Sequence, residues 1–464
     1  MTTPSRFWRV WQPTVDSPWN LRRVVHLRRR AGFAATRREI DRDLNDGPQA
    51  AVNRVLAGSA RLDGVHDDFE QISKVIGDAA VASENPHRLK AWWLFRMLAG
   101  PDPLAERLAL LWHNHFATSN LKVESAAAMA RQNEIFRAHG RGLYGDLLRR
   151  VVHDPSLLLF LDAPANRKEH PNENLARELM ELFTLGVGNF GETDVKEAAR
   201  ALTGWTVAPN GQFREAADRH DDGEKTILGR KGAWRGDDLV ELLLAQSATA
   251  QRLAKRLCEM FLGEEFDFKS SAGRTALDEL AGGLRARDLD MGWAVETILR
   301  SELFFSDANL GRRIAGPVEF VVGAARALEL CDPPPSTVVL AEWAARLGQD
   351  LFYPPSVFGW PGGRSWISPR SMIGRANFAA ALVAGELGGA GAALDALALL
   401  ERHGRARNLD EAVLFSCELL LGGPPTESIR AQSAALRESS KRSPGDAART
   451  IVRLVLASPE AQLM

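Results

Sequence analysis

The chain has 464 residues, 45% hydrophobic and 25% charged, and its 58 basic residues nearly cancel 59 acidic ones for a formal net charge of -1. This length exceeds what one hydrophobic core usually serves, and the composition is that of a folded globular protein rather than a disordered one. Near-neutral charge argues against general nucleic-acid binding and against a polybasic membrane patch.

The opening stretch MTTPSRFWRVWQPTVDSPWNLRRVVHLRRRAGF is basic and aromatic but has no uninterrupted apolar run, so it does not read as a secretory signal. No later run, IAGPVEFVVGAARALEL included, is both long enough and free enough of charge to span a membrane. A cytoplasmic location is the expectation. Downstream, Ala, Leu, Arg and Glu dominate and apolar residues recur at three and four, which predicts a mainly α protein. Helices are expected over 37–57, 67–83, 86–99, 103–117, 121–139, 142–153, 172–186, 192–204, 236–262, 272–286, 290–301, 316–330, 337–347, 371–387, 408–421 and 446–457. One short β-ribbon is expected within 204–232, turning at Pro209-Asn210-Gly211. The Pro-rich stretch 331–338 and the Pro/Gly/Trp-rich stretch 352–369 interrupt the helices, the first as a stiff connection and the second as an ordered loop. Gly388–Gly391 marks a further loop. The array is therefore either one large unit or two packed subdomains: a main helical domain over 1–330, a connection over 331–370 and a C-terminal helical part over 371–464 packed on the first. Three cysteines, Cys258, Cys331 and Cys417, lie far apart without C-x-x-C spacing and read as buried reduced thiols.

Two stretches are dense in polar groups. In LLWHNHFATSN, residues 110–120, a helix from Pro103 buries Leu104, Leu108, Leu111, Trp112 and His115, while His113 points roughly 160° away. A buried imidazole needs partners for its nitrogens, and it is either a satisfied core residue or a ligand. In NRKEHPNENLARELMELFTLGVGNF, residues 166–190, Pro171 and Asn172 open a helix that Gly186 closes. Leu175, Ala176, Leu179, Met180, Leu182 and Phe183 take one face; Glu173, Asn174, Arg177, Glu178, Glu181 and Thr184 take the other. That second face is either solvated, with Glu173–Arg177 and Arg177–Glu181 pairs, or a wedge in which two carboxylates meet a cation or a proton. Arg167 could bind an anion or neutralise the acids, His220 and Asp221 offer ligands on a turn, and the Trp360–Gly363 backbone amides could nest an anion or simply make a turn. The P-loop, nucleophile-elbow, H-E-x-x-H and Rossmann patterns are absent.

At these same residues the chain resembles a large bacterial family, domain of unknown function 1800. The matching segments are HLRRRAGF, LWHNHFATS, PNENLARELMELFTLGVGNF, DVKEAARALTGW, HDDGEKTILG, GPVEFVVGAAR and LFYPPSVFGWPGGRSWI, spanning about residues 26–378. The family carries no activity to transfer. The resemblance implies that polar residues matter at His113, His115, Asn172, Glu173, Asn174, Arg177, Glu178, Glu181, His220 and Asp221, as a site or as a buried polar network. It also implies a genomic neighbour resembling alkaline-phosphatase-like proteins and exported relatives, from which this chain departs by lacking a clear export signal.

The leading expectation is a polar pocket between the 103–117 and 172–186 helices, closed by the ribbon. There His115, Glu178 and Glu181 act as acid–base groups, or His113, His115, Glu178, His220 and Asp221 hold a divalent metal, while Arg167, Arg177, Asn172 and Asn174 orient an anionic substrate for hydrolysis. The alternative is a non-catalytic helical binding or assembly protein, with a small-molecule or protein partner, whose polar cluster is structural. Nucleic-acid binding is not expected.

Overall fold

Where good helix formers recur with helical period, the backbone is helical, and the fold is mainly α. The computed structural model describes residues 7–58, 65–263, 266–330, 334–388, 394–405, 407–438 and 443–464. Cys331, the start of the 331–338 connection and the 389–391 part of the glycine loop lie outside the described residues.

Helix ends differ from the periodic pattern where a side chain intervenes. The expected 121–139 helix is divided into Asn120–Val123 and Ala126–His139. Glu124 takes a positive φ, and Ser125 then restarts the helix by accepting the Ala128 N–H at 3.2 Å. The expected 236–262 helix is likewise two, Gly236–Leu244 and Ser247–Phe261. A Leu21–Arg30 helix also forms ahead of the first expected one, capped by Asn20.

The expected ribbon is a pair of short antiparallel hairpins. Trp205–Val207 pairs with Phe213–Glu215 around the Pro209-Asn210-Gly211 turn, and Lys225–Ile227 pairs with Arg230–Gly232. Every other regular element among the described residues is helical.

The hydrophobic core is continuous from Trp11 to Met464. Thr337–Arg346 packs on Pro86–Ala99, and Leu409–Leu421 packs on Leu21–Arg30, so segments on either side of residue 331 share one interior. Among the described residues, no helix is long and apolar enough to cross a membrane.

Candidate functional site

The Pro103–His115 helix is started by Asp102, whose carboxylate accepts the Ala105 N–H at 3.0 Å, with proline in the first turn where it costs nothing. Neighbours cover most of it, leaving Ala105, Leu111 and Asn114 half-buried. Glu106, Arg107, His113 and His115 are all buried, so His113 is not turned to solvent. Its ring sits among Trp93, Phe352 and Trp360, 5.4, 5.4 and 5.3 Å away, and its Nε2 has no partner among the described residues. Burial pushes its pKa down to about 3, so the ring is neutral.

His115 reaches the acidic segment through backbone. Its Nε2 lies 3.1 Å from the Tyr144 hydroxyl and 3.4 Å from the Phe183 carbonyl, to which Tyr144 itself donates at 2.6 Å. Because the tyrosine proton is committed, His115 Nε2–H is the donor to the phenol oxygen. Burial, then Arg256 and Arg252, hold this imidazole well below its ordinary pKa.

That carbonyl is available because it lies in the last turn of its helix, where main-chain oxygens have no intrahelical donor. Asn174–Glu178 is α-helical, but Leu179–Thr184 is a π-turn in which Leu185 N–H reaches back to Met180 O at 2.8 Å. Asn172 opens the helix by accepting the Asn174 N–H at 2.9 Å, and Asn174 donates to Asp162 at 3.1 Å. Arg177 pairs with Glu173 at 3.0 Å and with Glu192 at 2.7 Å rather than with Glu181. Glu178 is buried and makes no hydrogen bond or ion pair among the described residues; burial, then the nearby Glu181, raises its pKa, against the pull of Arg177. Arg167 is exposed on the turn before the helix.

His220 is buried beneath the hairpins, where Nδ1 donates to Thr203 O at 2.9 Å. Asp221 is bound to Arg200 at 2.7 Å, which draws its pKa down. Among the described residues no hydrogen bond or ion pair joins either helix histidine to Glu178, Glu181, His220 or Asp221. Nor do three or more His, Cys, Asp or Glu gather closely enough to hold a metal ion.

What the WHNHF segment does line is a different cleft. Asn114 projects from the Pro103–His115 helix into an open cavity of about 280 Å³, shared with Arg107, Arg256, Glu259, Arg313, Glu319 and Gln349 and walled by Trp360, Pro361, Gly362 and Trp366. Asn114 Oδ1 accepts the Trp360 N–H at 2.7 Å and so pins the 352–369 loop against the helix. Gly359 turns with φ 77°, and a Cβ there would strike the Asn114 carboxamide. Glu319 stands at the third position of the Pro317–Ala327 helix and accepts the Gly316 N–H at 2.6 Å. Its carboxylate also receives Arg107 and, at 2.8 and 2.7 Å, Arg313. Burial pushes this carboxyl up, but Arg107 and Arg313 outweigh it and hold it well below the usual carboxylate range.

Positive charge exceeds negative here. Arg29 and Arg375 stand close enough to feel Glu319, yet their hydrogen bonds go to oxygens of Leu420, Ala461, Gln462 and Ala315, and burial lowers each to about 10. A larger cavity, about 660 Å³, is bordered by Arg28, Arg54 and Arg326, but those cations meet Asp43, Asp46 and Glu39.

The residues that build this cleft were missed by periodicity because each was weighed within its own helix. The available signal was a charge inside an apolar run: Arg107 in LAERLALLW and Glu319 in GPVEFVV. Each demands a partner that local sequence does not supply.

The fold and the cleft define a mainly α-helical protein with a guanidinium-lined cavity between its helices. The chain belongs to the family described as protein of unknown function (DUF1800), which matches residues 26–463 and so takes in the C-terminal helices as well. No curated protein and no solved structure matches it.

Proposed function

We propose that this protein binds an anionic ligand in the arginine cleft, while the polar residues around His115 and the π-turn brace the wall behind it. The observation that carries the reading is charge balance: Arg107, Arg256 and Arg313 line the cleft against two carboxylates, Glu259 and Glu319, and Arg29 and Arg375, outside the lining, stand near enough to feel Glu319. Guanidiniums withdrawn from water without counter-charge are costly, and a bound anion relieves that cost. An anionic substrate was the expectation from sequence; this reading keeps it and assigns other residues to hold it.

Bracing is supported by the partners of His115, Asn172, Asn174, Arg177, His220 and Asp221, each committed to a backbone group or a neighbouring side chain. Should the bound anion undergo hydrolysis, Glu319 is not the base, because its arginines lower its proton affinity and, with the Gly316 N–H, occupy its oxygens. Glu259, 3.5 Å from Arg256, is the carboxylate left to activate water.

The test is thermal unfolding and calorimetric titration with inorganic phosphate, sulfate and citrate. Stabilisation by at least one anion, lost in Arg256→Gln, is the expected result; this arginine is partly exposed, so the variant should fold. Absence of any anion effect, or an Arg256→Gln protein that responds like the wild type, would end the reading.

A further inference from the structure

Two carboxamides at the cleft are each held one way round. Gln349 Oε1 accepts the Val318 N–H at 3.0 Å, and Asn114 Oδ1 accepts the Trp360 N–H at 2.7 Å. A backbone N–H can only donate, so in both amides the oxygen faces the main chain and the NH2 group faces away. Neither NH2 has a partner among the described residues, and both side chains line the cleft. Arg107, only 2% exposed, and Arg256 also line the cleft; the Nε of each is buried and without an acceptor among the described residues, so a ligand in the cavity meets their terminal nitrogens. The one deeply buried acceptor, Glu319, is already engaged by Arg107, Arg313 and the Gly316 N–H. Unsatisfied groups at the cleft are therefore donors, with Glu259 at its edge the exception.

A surface of donors selects against two ligand classes at once. A sugar or other polyol brings hydroxyl protons that need acceptors, and a metal cation needs oxygen or nitrogen lone pairs. A carboxylate satisfies donors but supplies two oxygens and one charge. A phosphomonoester supplies three terminal oxygens and close to two charges at neutral pH. The oxygen count suits three guanidiniums and two NH2 groups; Glu259 and Glu319 offset part of that charge, Arg29 and Arg375 near Glu319 add to it, and guanidinium pairs readily with phosphate through parallel N–H bonds. Leu111, Met260, Trp360 and Trp366 give the same cleft apolar surface for the group that the phosphate is attached to.

We infer that the ligand is a phosphomonoester, its phosphate held by Arg107, Arg256, Arg313 and the NH2 groups of Asn114 and Gln349. This rests on the anionic-ligand reading above and narrows it.

A matched series separates the two: calorimetric titration with phenyl phosphate, phenyl sulfate, benzoate and phenol. Phenyl phosphate should bind about tenfold or more tighter than phenyl sulfate or benzoate, with phenol inert. Its affinity should rise as pH passes upward through about 6, where the second phosphate proton leaves. Gln349→Glu keeps the oxygen that Val318 needs and exchanges the donor for a negatively charged oxygen, so it should weaken phenyl phosphate by about tenfold or more. Benzoate or phenyl sulfate binding as tightly as phenyl phosphate would overturn the phosphomonoester while leaving the anion site standing. So would a Gln349→Glu protein with undiminished phosphate affinity. Failure of all three anions would remove both.

Discussion

Glu319 lies in an apolar helix, and it is tolerated there because two guanidiniums and a main-chain N–H meet it. Removing it by Glu319→Leu leaves Arg107 buried without its counter-ion, and we expect a loss of about 3–5 kcal/mol in urea denaturation. A variant within experimental error of the wild type would mean that the pair contributes nothing. The buried histidines act in the opposite way, by refusing a proton. Burial lowers the pKa of His26, His113 and His115, so below about pH 6.5 the unfolded chain binds protons that the folded chain does not. Their contribution is complete above that value and is lost as pH falls, by up to about 1.4 kcal/mol per unit for each ring. Denaturation at about pH 7.5 and about pH 5.5 should show the decline, and His113→Phe should make it shallower. A flat profile would contradict the neutral, buried rings.

Between elements, Asn114 ties helix to loop. Asn114→Ala frees the Trp360 N–H and should cost about 1–3 kcal/mol, with faster proteolysis inside 352–369. Gly359→Ala should cost more, because it combines a positive φ with a clash against the same carboxamide. The π-turn gives a contrasting pair. His115→Ala removes the donor to Tyr144 and opens a cavity, for a loss of about 2–4 kcal/mol. Glu178→Gln should be neutral or stabilising, since this half-shielded carboxylate makes no ion pair among the described residues and is pushed up in pKa by burial and by Glu181. Stoichiometric divalent metal in the purified protein, lost in Glu178→Gln, would instead return the chemistry to that wedge.

For the molecule as a whole, the continuous core argues for one cooperative unit. Because helices behind residue 331 pack on the N-terminal and Pro86–Ala99 helices, we expect a single calorimetric transition rather than one for residues 1–330 and another for 371–464. Two resolved transitions would show that the C-terminal helices fold as a separate part. An anion at the cleft should raise that single transition, since Arg107, Arg256, Arg313 and Gln349 come from four different segments.

Helical class, the turn at Pro209–Gly211 and the ordered 352–369 loop were legible in the sequence, because periodicity and turn chemistry are local properties. The face that His113 occupies was not, since a pattern of apolar positions places the polar face in solvent, whereas aromatic side chains from Trp93, Phe352 and Trp360 cover it here. The π-turn hid equally well: a one-residue change of pitch leaves no mark on composition. Above all, the meeting of Arg107 with Glu319, 212 positions apart in the chain, and of Asn114 with Trp360 belongs to tertiary structure alone. Sequence can announce that a buried charge or amide needs a partner, but only packing decides which distant group supplies it.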